Sequence, residues 1–275
     1  MSHIAREFTK ILFQKRTYFG WVGLFLVPFL ITVAIRLSPS HGRGGGNPDQ
    51  QGAQFFFDLI GSNGLYVAIG ALFAMVAFLL PLLASMAGSQ TIAGEAENGT
   101  LRTVLMQPVR RGALLMAKWF VANLYVGIGL FILAVGSLIA GGAIFGIKSM
   151  LLLSGEVVGV GHSIWLLFLA YLFVAFGMAA VVSLALALST LTNSGLTAMA
   201  AGLVLVIVML ILGSLSVFDF LQPYLFTSHF GAWIHLFSQP VDWAPIRDAL
   251  INFTVWIIGM TGIAWLIFRR KDILS

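Results

Sequence analysis

Only 9% of the 275 residues are charged and 59% are hydrophobic, which excludes an ordinary soluble domain and predicts an all-α polytopic membrane protein. The sequence has no cysteine, so disulfides, thiolate metal sites and cysteine nucleophiles are excluded. The net charge of +5 does not predict a nucleic-acid partner, because the cations lie between apolar stretches instead of forming one basic face.

The N-terminal part of the chain predicts an interfacial helix followed by two membrane spans. Residues 2–17 place four cations among apolar residues at helical spacing, as in a basic amphipathic helix lying in the cytoplasmic interface. A cleaved signal peptide is the less favoured alternative, because no small-x-small cleavage site follows the apolar run. Residues 20–37 and 65–89 are the first two predicted spans, and Pro81 predicts a kink in the second.

A polar segment, residues 95–112, follows the second span and is the densest polar run in the chain. Leu101, Val104 and Leu105 fall at i, i+3 and i+4, which predicts a short helix with one apolar stripe from about Thr100 onwards. We expect Asn98 or Thr100 to cap its start, with Glu95 and Glu97 near the positive end of its dipole, and Pro108 to end it. Two interpretations remain open: a lever that seats in a groove on a soluble partner, or an ordinary cytoplasmic loop whose arginines follow the positive-inside rule.

The residues of this segment carry a resemblance to a known family. Glu97-Asn98-Gly99-Thr100-Leu101, Leu105, Pro108-Val109-Arg110-Arg111, Leu114 and Ala117-Lys118 resemble the loop motif of ABC-2 permeases, the membrane subunits of ATP-binding-cassette transporters. Phe268-Arg269-Arg270-Lys271-Asp272-Ile273 resembles their C-terminus. The resemblance is specific in this loop and tail, and Arg110 departs from it because many relatives carry Ser or Thr there.

Four more spans are predicted after the loop, at residues 119–145, 164–188, 196–215 and 249–268. Five glycines in the third favour close helix packing over a substrate path: Gly127, Gly129, Gly136, Gly141 and Gly142. Residues 217–248 are too interrupted to span, and we expect either an outer cap that closes the export path or an interfacial loop without a gating role. Among the histidines, hydrogen bonding is favoured over a metal shared by His229 and His235.

The distribution of cations predicts the orientation of these six spans. Eleven of the fifteen lysines and arginines fall before the first span, around the 95–112 loop or after the last span. The positive-inside rule therefore predicts that both termini and this loop are cytoplasmic, in the inner (plasma) membrane of the cell.

The resemblance implies a permease subunit that is not itself an enzyme. We expect two copies of a separate ABC ATPase to bind the ATP and magnesium, so that this chain needs no cofactor, and a second permease subunit to complete a homodimer. We expect Leu101, Val104 and Leu105 to fill a groove on the ATPase, and Glu95 and Glu97 to meet its basic groups. Gly99, Thr100 and Pro108 shape the segment, and Arg110, Arg111 and Lys118 contact the inner vestibule or anionic membrane lipids.

The absence of recognisable catalytic motifs in the sequence leaves two competing transport functions. Lys148 stands one place too late for a P-loop, and neither an HExxH pair nor a GxSxG elbow is present. An ABC exporter of an amphipathic or hydrophobic substrate, such as a drug, a peptide or a lipid, is preferred. The alternative is an ion-coupled secondary carrier or channel without an ATPase, which the lack of an ionisable residue at any span centre disfavours. An intramembrane enzyme is a third alternative and the least favoured one.

Overall fold

The computed structural model describes residues 15–37, 59–100, 111–152 and 154–270, which form a helical bundle. Its helices are α1 Lys15–Leu37, α2 Leu65–Val76, α3 Leu79–Ser89, α4 Ala93–Glu97, α5 Arg111–Phe145, α6 Val160–Leu191, α7 Gly195–Ser214 and α8 Trp243–Arg270. The fold class predicted from the sequence, an all-α polytopic membrane protein, is confirmed. Most of the predicted interfacial helix 2–17 and of the first outer loop lies outside the described residues.

Five of these helices, α1 and α5 to α8, are long and apolar enough to cross a membrane. Two shorter helices, α2 and α3, pass the same test only together and are bent by 56° relative to each other. The described residues therefore contain five candidate spans, or six if the bent pair is one span.

The bend in the second span is caused by Pro81. A proline has no N–H to bond the carbonyl four residues earlier, and its ring crowds that carbonyl, which here belongs to Ala77. The helix is interrupted at Ala77 and Phe78, and the φ of −137° at Phe78 leaves the helical region. The kink predicted from Pro81 is therefore present, but it lies one turn before the proline.

The third span differs from the sequence prediction at its start. Helix α5 begins at Arg111, eight residues before the predicted start at residue 119, and is 35 residues or about 52 Å long. This length exceeds the roughly 30 Å of membrane hydrocarbon. Arg111 and Lys118 consequently lie on a helix continuous with the span rather than on a loop.

Other helix starts and one loop also differ from prediction. Helix α1 begins at Lys15 rather than residue 20, α6 begins at Val160 rather than residue 164, and α8 begins at Trp243 rather than residue 249. The loop after α5 contains an antiparallel hairpin of β1 Met150–Leu151 and β2 Val157–Val158. Alternation over so few residues is too short to be recognised in an apolar sequence.

Helix α6 is the centre of the bundle. It packs against α3, α5, α7 and α8, and most of its length is buried, whereas α1, α7 and α8 leave large apolar faces at the surface. Its contact with α3 is close, because a Cβ on Gly88 would lie 2.6 Å from the Val182 carbonyl oxygen.

The packing prediction for the glycines of α5 is confirmed at three of the five positions. Gly129 and Gly136 face residues of α1, whereas Gly142 faces Ile147 in the loop after α5 and Gly127 faces open space. Gly141 makes the closest approach, since its backbone and that of Gly64 at the start of α2 leave no room for a Cβ on either residue.

The Asn63 side chain joins the start of α2 to the loop after α5. Its side-chain amide donates to the carbonyls of Lys148 at 2.8 Å and Ser149 at 3.1 Å, and its side-chain oxygen accepts from the N–H groups of Leu65 and Lys148. Because Asn63 is almost fully buried, these bonds satisfy an amide that would otherwise be costly to bury. The beginning of the bent span is therefore fixed to the end of α5.

Substitution of Gly141 by valine is expected to destabilise the protein more than the same substitution at Gly127. Overpacking of a tight contact costs about 1–3 kcal/mol, whereas Gly127 has space for the new side chain. Thermal unfolding of both purified variants in detergent tests this difference. Equal loss of stability in the two variants would contradict the assigned role of the Gly64–Gly141 contact.

The predicted outer segment 217–248 folds back onto α8. It contains three 3₁₀ helices, Ser216–Tyr224, Phe226–His229 and Ala232–Phe237. The Asn252 amide donates to the Pro223 carbonyl at 2.7 Å, and the Trp256 indole donates to the Tyr224 carbonyl at 2.8 Å. The segment is thus attached along the first half of α8, and its role in gating stays a prediction.

Candidate functional site

The described residues include only part of the predicted coupling site. Glu95, Glu97, Gly99, Thr100, Arg111 and Lys118 are described. Leu101, Val104, Leu105, Pro108 and Arg110 fall in 101–110, outside the described residues. What the structure shows is therefore how the two ends of the polar segment are attached to the bundle.

The first attachment is a buried ion pair. Glu95 on α4 and Lys118 on α5 approach to 2.7 Å between Oε1 and Nζ, and their side chains are only 5% and 2% exposed. A buried charge is stable only when it is paired, so this contact ties the two flanks of the segment together. Glu95 was expected to meet basic groups of a partner and Lys118 a vestibule or lipid, but the structure directs both inward to each other.

The second attachment joins α4 to the turn between α6 and α7. Glu97 Oε2 accepts a hydrogen bond of 2.7 Å from the backbone N–H of Gly195, the first residue of α7. A carboxylate at a helix N-terminus is favoured by unpaired N–H groups and by the helix dipole. The Gln90 side chain lies between Gly94 and Gly195, where a Cβ on Gly195 would come within 2.7 Å of its Nε2.

The two residues expected to cap the predicted coupling helix form hydrogen bonds back to α4. The Asn98 amide donates to the Gly94 carbonyl at 2.6 Å, and the Thr100 hydroxyl donates to the Glu95 carbonyl at 3.3 Å. Between them, Gly99 has a φ of +69°, a left-handed conformation that glycine adopts at little cost and that commonly ends helices. The chain therefore turns sharply at 98–100 as it enters the predicted coupling helix.

The third attachment joins the start of α5 to the end of α8. Arg111 Nη1 donates to the Arg269 carbonyl at 3.2 Å and lies 3.5 Å from that of Phe268. A guanidinium is favoured there, since the last carbonyls of a helix are unpaired and carry the negative end of its dipole. Lys118 is thus buried in an ion pair while Arg111 binds a neighbouring helix end.

An apolar cluster lies between these three attachments. Ile92 precedes α4, Leu114 and Leu115 lie on the first turns of α5, Leu186 is near the end of α6, and Phe268 is near the end of α8. All five side chains are at most 3% exposed. Because packed interiors transmit displacement rather than absorb it, a shift of α4 or of the start of α5 must move α6 and α8 as well.

The attachments also sort the helix ends into two groups. The end of α4, the starts of α5 and α7 and the end of α8 meet at one end of the bundle. The start of α2 and the end of α5 lie at the other end of these helices, where the Asn63 side chain bonds the loop after α5.

Sequence reasoning did not identify the pairing of Glu95 with Lys118 or the contact of Glu97 with Gly195. The pair spans the whole polar segment, so no local spacing indicates it. One available signal was that both charged residues have apolar neighbours, Ala93 and Ala96 around Glu95 and Ala117 and Trp119 around Lys118. Such residues are rarely buried unless they are paired.

Comparison with known proteins places this architecture in a family. The model of the family described as "ABC-2 family transporter protein" matches residues 3–273. A "Probable ABC transporter permease protein NosY" of Stutzerimonas stutzeri is 30% identical over 127 residues, which are 43% of this chain and 44% of that protein. The protein of the same name from Pseudomonas aeruginosa is 36% identical over 84 residues, 30% of this chain and 28% of its own length.

These alignments cover less than half of the curated relatives' length, whereas the family model extends over nearly the whole chain. The match agrees with the apolar helices of the structure and with the loop motif around residue 100. The chain therefore belongs to the ABC-2 family of transporter proteins.

Proposed function

We propose that this chain is the permease subunit of an ABC exporter, driven by ATP hydrolysis in a separate ATPase subunit. Two ATPase copies bind ATP and magnesium, and two permease copies form the membrane part as a homodimer. The permease itself catalyses no reaction and holds no cofactor. The family match and the names of the two permease relatives support the subunit assignment.

The main support for this coupling mechanism is that the polar segment is attached to the bundle at both of its ends. Its entrance is attached to α7 through Glu97 and its two flanks are joined by Glu95 and Lys118. Its exit is attached to α8 through Arg111. A displacement of residues 101–110 by the ATPase is therefore transmitted to α5, α7 and α8 together.

Within the segment, Leu101, Val104 and Leu105 seat in an apolar groove of the ATPase. Gly99, Thr100 and Pro108 set the direction and length of the short helix that carries them. Glu95 and Glu97 act as positioning residues inside the permease, since their carboxylates are directed to Lys118 and Gly195. Arg110 and Arg111 face the inner vestibule or anionic lipid.

The proposed topology places the 95–112 segment, the turn before α7 and both termini in the cytoplasm, with the permease in the inner (plasma) membrane. The cation distribution supports this orientation through the positive-inside rule. An amphipathic or apolar substrate, such as a drug, a peptide or a lipid, fits spans that are lined by Phe, Met, Leu and Gly.

Co-purification and reconstitution test this function. The tagged permease, expressed together with candidate ABC ATPases, is expected to retain one of them as a stable complex. In proteoliposomes that complex should transport only when ATP is present. Transport by the permease alone, driven by a proton or sodium gradient, would instead identify an ion-coupled carrier.

A further inference from the structure

A groove runs along the surface of the bundle between the first turns of α5 and the last turns of α8. It has a volume of about 460 Å³ and is lined by Gly112, Met116, Trp119, Ile257, Ile258, Thr261, Gly262 and Trp265. The Trp265 indole packs against Gly112, where a Cβ would lie 2.9 Å from its Nε1, whereas Gly262 faces open space. Met116 and Ile258 are 50% and 67% exposed, so the groove opens sideways towards the surrounding membrane.

The wall of this groove offers little polar chemistry to a ligand. The Trp119 indole N–H donates to the Ser183 hydroxyl at 2.8 Å, and the Thr261 hydroxyl donates to the same oxygen at 3.4 Å. Ser183 in turn donates to the Ala179 carbonyl at 2.7 Å. With these groups turned inward, the groove presents hydrocarbon and aromatic surface, which suits an apolar occupant.

The dimensions of the groove suit hydrocarbon chains. Its lining extends for about 10–12 Å along each helix axis, at 1.5 Å per residue, close to the roughly 15 Å hydrocarbon depth of one leaflet. The volume of about 460 Å³ over this length corresponds to a cross-section of roughly 40 Å², which accommodates extended acyl chains.

The mouth of the groove is cationic. Arg269 and Arg270 are exposed at the end of α8, and the Arg269 guanidinium lies 5.2 Å from the centre of the Trp265 ring. Arg111 on α5 bridges to the carbonyl end of α8 and adds positive charge beside them. Tryptophan and arginine at the boundary of an apolar groove are typical of contacts with lipid headgroups.

We propose that this groove binds an anionic phospholipid of the cytoplasmic leaflet, with its phosphate at Arg269 and its acyl chains between α5 and α8. The bound lipid fills the gap between the two helices that Arg111 joins, so it stabilises the same end of the bundle that receives force from the polar segment. The leaflet assignment rests on the proposed orientation. Lipid binding itself does not depend on the ATPase.

Native mass spectrometry of the purified full-length chain tests the proposal. After delipidation, the chain is titrated with phosphatidylglycerol or with phosphatidylcholine of the same acyl length. We expect phosphatidylglycerol to bind preferentially. An arginine near a membrane surface contributes about fivefold in affinity for anionic lipid, so Arg269→Gln should reduce the preference by about fivefold.

Matched variants test whether a loss of lipid binding is specific to the groove and its positive charge. Gly262→Leu fills the groove and should weaken binding of both lipids, whereas Gly259→Leu adds the same side chain to the same helix outside the groove lining. Arg36→Gln removes an exposed arginine at the far end of α1 and should leave the lipid preference unchanged.

Three results would overturn the proposal: equal affinity for the two lipids, indistinguishable binding by Gly262→Leu and Gly259→Leu, or a change of oligomeric state in Gly262→Leu with lipid retention unaltered. The last result would assign the groove to a second copy of the chain. None of these results depends on ATPase binding, which is measured in a separate assay on the same purified proteins.

Discussion

Replacement of Lys118 by methionine is expected to lower the free energy of unfolding by about 3–5 kcal/mol. The substitution leaves the Glu95 carboxylate buried without the ammonium group that lies 2.7 Å away in the wild-type protein. Glu95→Met should cost a similar amount, because it leaves the lysine charge buried instead. Denaturant unfolding of the purified variants in detergent measures both losses.

The double variant distinguishes an ion-pair effect from a general packing defect. Methionine at both positions removes the two charges together, and apolar replacement of a buried pair is often neutral or stabilising, so the double variant should recover most of the loss. The exposed pair of Arg247 and Asp248 is the control, since its side chains are 70% and 55% exposed and Arg247→Met should cost less than about 1 kcal/mol. Additive losses at residues 95 and 118 would contradict the pairing.

The largest functional effect is expected for Leu105→Asp. If Leu105 fills an apolar groove of the ATPase, a carboxylate there costs on the order of 3 kcal/mol, which is roughly a hundredfold in affinity. Membrane insertion and folding should be unchanged, while retention of the ATPase and ATP-driven transport are lost. Pull-down of the ATPase and transport by proteoliposomes measure the two effects.

Two control variants test whether the loss of coupling is specific to the apolar stripe. Leu105→Met keeps an apolar side chain of similar volume and should retain coupling. Thr103→Asp adds the same charge on the opposite side of the predicted helix and should have much the smaller effect. If Thr103→Asp abolishes coupling as completely as Leu105→Asp, the stripe is not the contact surface.

The sequence predicted the membrane character of the fold well, because hydropathy over about twenty residues is a strong signal. Helix ends were predicted less well where polar residues continue a helix. The start of α5 was placed eight residues late because Arg111 and Lys118 resemble loop residues, although Leu114, Leu115 and Ala117 continue the helix between them. Pro81 correctly predicted a bend, whose position follows from the carbonyl of Ala77.

The candidate site was predictable as a segment but not as a set of contacts. The apolar spacing of Leu101, Val104 and Leu105 and the proline after them identify a short amphipathic element from local pattern alone. The Glu95–Lys118 pair and the Glu97–Gly195 bond depend on which helices are neighbours in space. Long-range packing decides this, so Glu95, which was assigned to a partner, is instead buried against Lys118, while a contact of the exposed Glu97 with a partner stays a prediction.

Together, the three attachments join both ends of the polar segment to the helical bundle. Glu97 supports the start of α7, Lys118 holds α4 against α5, and Arg111 holds α5 against α8. We propose that force enters the membrane domain through this segment from the cytoplasm. The segment must then lie on the cytoplasmic side of the membrane.

Single-cysteine labelling measures this directly, because the chain contains no native cysteine. Arg110→Cys reports on the polar segment, and Glu156→Cys reports on the exposed hairpin at the other end of the bundle. With a membrane-impermeant maleimide, we expect Arg110→Cys to react in inside-out vesicles and not in intact cells, and Glu156→Cys to show the reverse. Labelling of Arg110→Cys from outside intact cells would contradict the account.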